Sequence, residues 1–445
     1  MNKLKVLFAS AVVLMATFSV QAQVQCDNDT TNLQALVDLQ TGYYLGLYQG
    51  GLYPGGSNYL PPAHRTGGVA IAKGLKPLDS LGNVDWENGI VLFAGMGAST
   101  AGNSWNHFED AVEVEPGLNP CMRTVNACLG AKGIDIMIDT AVNGWYWYDE
   151  ILPKLDYYGY TRYQVQAAWI KTASKADTIL EFPLFPNAIA DKYEALMSIL
   201  IDTFPNIKLV YISGFFYGGY ADPLKEFYDV VVEPGSYWTN FAVKWVIERQ
   251  ITGDPDLNYK TPGRNAPWMG WGPHVWADGT RANEWDGLFW TCPEDFALDG
   301  GGYHLTNEGK GKEGDLLMQW AKTNPTTRRW FLDGPQWNSC DPEGRLANGQ
   351  SLQTPGDDPV TADDIMLYPS PNNGTFTLRF ANAFTGYANL SIVNNTGQVV
   401  HEQTVESFFA NKNINIQMEQ VPNGIYFVNI NLNGAITTKQ FVVNN

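Results

Sequence analysis

The chain of 445 residues has little of what metal, redox or nucleic-acid chemistry requires. It carries five histidines and five cysteines, with no C-x-x-C spacing and no clustered His-Cys set, so no metal site is expected. Positive charge is scarce. Against 46 Asp and Glu stand 28 Lys and Arg, a formal charge of -18, which argues against nucleic acid or anionic lipid as partner. After the N-terminal segment no stretch approaches the roughly 20 apolar residues of a membrane-spanning helix, so no membrane span is expected. No internal repeat is visible, and no cofactor is expected.

What is present is apolar and aromatic: 44% hydrophobic residues, 15 Trp and 22 Tyr, which excludes a disordered chain and provides for an ample core. Lys3 and Lys5 precede an apolar run over residues 6–20, and Val20-Gln21-Ala22 before Gln23 offers a small-residue cleavage site. Residues 1–22 therefore read as a signal peptide. In an exported protein five cysteines permit two disulfides and one leftover. Spacing pairs Cys121 with Cys128 and Cys292 with Cys340, leaving Cys26 free unless one pairing is wrong. Residues 341–364 are rich in Gly, Pro, Gln and Asp without apolar periodicity and read as a linker. It separates a body, residues 23–340, from a C-terminal domain, residues 365–445.

In that C-terminal domain short apolar runs at residues 375–378, 388–393, 425–430 and 438–443 alternate with Asn373-Gly374, Thr396-Gly397, Asn423-Gly424 and Asn433-Gly434. Such punctuation predicts a small antiparallel β-sandwich. Tyr368-Pro369-Ser370-Pro371, Asn395-Thr396-Gly397-Gln398 and Val421-Pro422-Asn423-Gly424-Ile425-Tyr426 occur in that order. Together they resemble the three signatures of the type A sorting domain of type IX secretion cargo. The resemblance implies interaction with that secretion machinery and a secreted or cell-surface location in a Gram-negative bacterium, reached through the periplasm.

Within the body, residues 89–94, 134–139, 163–170 and 207–212 are short apolar runs that read as buried parallel strands. Residues 189–204, 241–251 and 314–323 carry helical periodicity, and Pro205 closes the first of these. The alternation predicts an α/β fold, an open parallel sheet with helices on both faces. Ligands of such sheets bind at the carboxyl ends of the strands. After the first strand comes Gly97-Ala98-Ser99-Thr100, after the second Asn143-Gly144-Trp145, after the third Lys171-Thr172, and ahead of the last helix Asp299-Gly300-Gly301-Gly302-Tyr303-His304.

That order of parts resembles the SGNH (GDSL-type) hydrolases. Closer still is the likeness to a group of exported SGNH-like proteins, through Val210-Tyr211-Ile212-Ser213, Tyr217-Gly218-Gly219-Tyr220-Ala221, Phe241-Ala242-Val243-Lys244-Trp245 and Trp271-Gly272-Pro273. It implies a flavodoxin-like sheet and a serine esterase acting on an ester-bearing small molecule or glycan, with Ser99 as nucleophile, His304 as base and Asp299 as its orienting acid. The oxyanion hole would be the N–H groups of Ser99 and Gly144, helped by Asn143.

Several positions depart from the family pattern. The Asp before the nucleophile is Ala98, the Gly-x-Asn-Asp block is replaced by Trp169-Ile170-Lys171-Thr172, and Asp299 stands five residues before His304 rather than three. Ser99 is equally suited to cap a helix, and Lys171 to be a structural counter-ion. Trp145, Lys171 and Trp271 are the candidate substrate-binding residues, since flat rings suit carbohydrate faces. The alternative reading is an inactive member that binds a glycan or serves adhesion at the cell surface.

Overall fold

The computed structural model describes residues 26–140, 145–174, 181–222, 231–298, 301–340, 365–380, 384–408, 412–418, 421–432 and 435–444. Residues 1–22, expected as a signal peptide, and 341–364, expected as a linker, lie outside the described residues, as do Asn143, Gly144 and Asp299.

The body is built on five strands: β1 Val91–Gly97, β2 Met122–Asn126, β3 Val165–Lys171, β4 Leu209–Ile212 and β5 Trp268–Trp271. All pair in parallel, in the order β2-β1-β3-β4-β5. The chain thus reverses its winding between β1 and β3, the place where doubly wound sheets take ligands.

Strand periodicity divides each strand between two cores. Leu92, Ala94 and Met96 of β1 face one core, whereas Val91 and Phe93 face the other. The same division sends Val210 and Ile212 of β4 one way and Leu209 and Tyr211 the other. Helices cover both faces. The chain-ordered set is α1 Pro62–Lys73, α2 Ser99–Val114, α3 Leu184–Thr203, α4 Gly235–Thr252 and α5 Asn307–Thr323. Helices α3 and α4 pack on the first core through Ile189, Tyr193, Leu200, Phe241 and Val246. Helices α1, α2 and α5 pack on the second through Ala72, Trp105, Phe108 and Leu317.

Two readings of the body require correction. Residues 134–139 do not form a strand. After Gly133 the chain enters a short helix, Ile134–Met137, whose buried residues Ile134 and Met137 stand three apart on one face. The second strand is instead β2, whose polar Arg123 and Asn126 are tolerated because it lies at the sheet edge.

The disulfides also differ from the expected pairs. They join Cys26 to Cys292 and Cys121 to Cys340, with Cα separations of 5.2 and 5.4 Å, and Cys128 is free and buried. Cys121 and Cys128 flank the extended strand β2, whose rise holds them roughly 20 Å apart, beyond the reach of a disulfide.

The C-terminal domain has two antiparallel sheets. Its strands are β6 Ile365–Tyr368, β7 Thr375–Phe380, β8 Phe384–Asn394, β9 Val399–Phe408, β10 Lys412–Gln417, β11 Gly424–Leu432 and β12 Ala435–Val443. One sheet runs β9-β8-β11-β12 and the other β10-β7-β6. Their inward residues, among them Phe376, Leu378, Leu390, Val428 and Phe441, share one core.

Candidate functional site

The turn from β1 into α2 is set by backbone sterics. Gly97 ends β1 at φ +145°, and a Cβ there would stand 2.2 Å from the Lys171 carbonyl oxygen on β3, so the tight exit admits only glycine. The chain then enters α2 with Ala98 as N-cap and Ser99 as the first helical residue. The N-cap residue, Ala98, has no polar side chain with which to cap the helix, and Ser99 stands one position inside it.

His304 arrives from the other side, in the loop before α5. A bridge between Phe296 and Leu305, the bond from Ala297 N–H to the His304 carbonyl (2.9 Å), and that from Thr306 N–H to the Asp295 carbonyl (2.9 Å) shape this loop. Thr306 caps α5, its hydroxyl accepting from Gly309 N–H at 3.2 Å. The Tyr303 ring packs 4.2 Å from the imidazole. As a result Ser99 Oγ and His304 Nε2, 205 residues apart in sequence, stand 3.1 Å apart, both half-buried.

The strand after β1 in the sheet order, β3, carries a buried charge network to α5. Lys171 Nζ, at the end of β3, contacts both carboxylate oxygens of Glu313 on α5, Oε2 at 2.6 Å, with both side chains fully buried. The Ser104 hydroxyl on α2 donates to the same Oε2 at 2.7 Å. Burial pulls the Lys171 ammonium below its ordinary range, and the Glu313 charge opposes that pull.

Lys171 is thus buried as the counter-ion of Glu313. Trp271 is buried as well, 2% exposed, its indole donating to the Leu52 carbonyl at 2.7 Å. Trp145 is half-buried, with Lys132 Nζ 5.0 Å above its ring. Asp295, a neighbour of the expected acid, is committed elsewhere: Oδ2 accepts from Thr291 N–H at 2.8 Å and from Lys312 Nζ at 2.5 Å. His107 sits on the surface of α2, 3.7 Å from Asp315. Sequence reasoning passed over Glu313 and Ser104. The one available signal was Lys171 itself, a cation at the end of an otherwise apolar strand, which demands a buried acid.

A groove of about 970 Å3 lies along the free edge of β2, bounded by Glu109, Glu113, Arg123 and Tyr160. It includes neither Ser99 nor His304. Among the described residues no group of three His, Cys, Asp or Glu side chains is placed to hold a metal ion.

Residues 366–444 match the family described as the secretion system C-terminal sorting domain. The C-terminal domain is a type IX sorting domain. The sorting domain implies interaction with that secretion machinery and delivery to the cell surface or beyond it. No helix among the described residues is long and apolar enough to cross a membrane.

No curated protein matches the chain. Among solved structures, a DUF3244 family protein with an immunoglobulin-like β-sandwich fold from Bacteroides vulgatus is 20% identical, over 19% of this chain and 90% of that one, with a TM-score of 0.16. CopC from Methylosinus trichosporium is 17% identical over 18% of this chain and 93% of its own, with a TM-score of 0.14. A β-glucosidase from Listeria innocua is 8% identical over 87% and 51%, with a TM-score of 0.19.

Proposed function

We propose that the body is a serine ester hydrolase of the SGNH type, exported by the type IX route, that removes acyl groups from carbohydrate. The observation that carries this reading is the 3.1 Å approach of Ser99 Oγ to His304 Nε2 at the carboxyl end of β1, the edge where doubly wound sheets receive ligands. The place of Ser99 at the first helical position of α2, one residue past the N-cap, supports it further, because the capping position is not its own.

In the reaction the Ser99 hydroxyl attacks the ester carbonyl carbon as its proton passes to His304 Nε2. Negative charge collects on the carbonyl oxygen beside the N-terminus of α2, whose first N–H groups have no partner within the helix and whose dipole favours an anion. The collapsing intermediate expels the alcohol, which takes the proton from His304. Water then attacks the acyl-serine with His304 again as base, releasing the acid. Asp299 is the proposed orienting acid, with Gly144 and Asn143 as further oxyanion donors. Lys171 and Glu313 are assigned to the frame that holds β3 against α5.

Hydrolysis of a short-chain aryl acetate tests the reading. Ser99→Ala and His304→Ala are each expected to lower kcat by roughly 10⁴-fold or more. Activity that survives in both variants would sink the mechanism. A folded wild-type protein with no activity on any acyl ester would favour the glycan-binding alternative, to which the missing family Asp and Asn already point.

A further inference from the structure

A second cavity, of about 100 Å3, lies beside the edge strand β5, and its lining includes neither Ser99 nor His304. Three of its polar side chains already have partners: the Tyr53 hydroxyl accepts from Trp271 N–H at 3.2 Å, the Trp271 indole donates to the Leu52 carbonyl, and Asn324 Oδ1 accepts from Thr326 N–H at 2.9 Å. The others fall into an inner and an outer set. The inner set is His274, Asn58 and Trp320, all at least nine-tenths buried. Both His274 ring nitrogens, the Asn58 Oδ1 and the Trp320 Nε1 have no hydrogen-bond partner among the described residues. The orientation of Asn58 is settled by its Nδ2, which donates to the Val37 carbonyl at 2.7 Å and so leaves the carbonyl oxygen unused. The outer set is Trp285, half-buried, with Asp286 and Gln319, both exposed.

Buried polar atoms without partners are rare in folded proteins and ask for an occupant that satisfies them. The chemistry of the set narrows that occupant. A cation would suit the Asn58 carbonyl and Asp286 but would meet the Trp320 N–H, which can only donate. An anion would meet the Asp286 carboxylate at the mouth. Burial drives His274 down to about 3, so the imidazole is neutral at ordinary pH, one nitrogen donating and the other accepting. Paired donors and acceptors of this kind are met by hydroxyl groups, each of which does both.

The volume equals about three waters, enough for two adjacent carbons and their hydroxyls but not for a whole sugar ring. We infer that the cavity takes the vicinal-diol edge of a neutral sugar, with the ring body resting on the Trp285 indole at the mouth. The inference stands independently of the Ser99–His304 reading.

The test titrates the full chain with glucose, galactose, mannose and N-acetylglucosamine, following tryptophan fluorescence and the heat of binding. Saturable binding of at least one sugar is expected. Trp285→Ala and Asp286→Ala, both at the rim, are expected to weaken it by tenfold or more while leaving aryl acetate hydrolysis unchanged. Ser99→Ala is expected to bind the sugar as the wild type does, which separates this site from the hydrolytic one. His274→Phe fills the interior and is expected to abolish binding; should that variant fail to fold, the rim variants decide alone. Absence of saturable binding across the four sugars would overturn the proposal, because the cavity would then hold water only. Binding that neither rim variant weakens would overturn it equally.

Discussion

His64 and His274 are imidazoles that the fold holds neutral. His64 donates from Nε2 to the Met269 carbonyl at 2.7 Å and stacks 4.7 Å from the Trp268 ring. Burial lowers His64 from 6.5 to about 4 and His274 to about 3. As pH falls from 6.5 the unfolded chain takes up these protons before the folded chain does. The contribution of each histidine is therefore complete above 6.5 and is lost as pH falls toward the folded value. For His64 the loss amounts to about 3 kcal/mol. Glu233 acts in the opposite sense. Burial raises its carboxyl to about 7, against donation from Gly218 N–H and the Trp276 indole, both at 2.8 Å. Its contribution is complete below 4.5 and declines as pH rises to 7. Urea midpoints of His64→Phe should accordingly fall less steeply than those of the wild type between pH 6 and 4, although the variant is less stable at pH 7 by about 1–3 kcal/mol for the orphaned Met269 carbonyl. Parallel pH profiles would show that His64 does not carry this dependence.

At the scale of elements, the buried Lys171–Glu313 pair ties β3 to α5, the helix that follows the His304 loop. Removing one partner strands the other charge in the interior, so Lys171→Ala and Glu313→Ala should each cost about 3–5 kcal/mol. The double replacement Lys171→Met with Glu313→Leu should cost less than either single variant, because no buried charge is left. Chemical denaturation of the three proteins checks this, and a double variant weaker than both singles would refute it.

The elements also differ in how far the chain foretells them. Strands β1, β3 and β4 and helices α3, α4 and α5 follow from apolar runs and periodicity. Strand β2 does not, because an edge strand need not be apolar throughout. Residues 134–139 mislead, since Ile134, Ile136 and Ile138 alternate as a strand would while Gly133 starts a helical turn. Strand β5 is hidden by Pro267 and Gly270 among tryptophans. The approach of Ser99 to His304 could be anticipated only from the order of motifs, because 205 residues of tertiary packing bring them together. Cys340 finds Cys121 for the same reason, and local spacing gave the wrong partner.

Across the whole molecule, the described apolar residues form two cores in the body and a third confined to the sorting domain, with no residue shared between the third and the others. Cooperative unfolding follows shared burial, so calorimetry of the full chain should resolve two transitions. Reduction should lower only that of the body, to which both disulfides belong. The Cys121–Cys340 bond closes a loop of 219 residues at the point where the body ends, and losing a native disulfide of this kind costs about 2–5 kcal/mol. The division of cores carries over to function. Deleting residues 366–444 removes the whole sorting domain but no residue of the Ser99–His304 pair or of the Lys171–Glu313 frame. The truncated chain should therefore remain inside the cell envelope, and any aryl acetate hydrolysis by the full chain should be kept at the same rate. Cell fractionation with an activity assay on each fraction reads both halves of this expectation. Export without the sorting domain would show that a signal in the body suffices, and a folded truncated body that is inactive beside an active full chain would show that the body and the sorting domain are coupled after all.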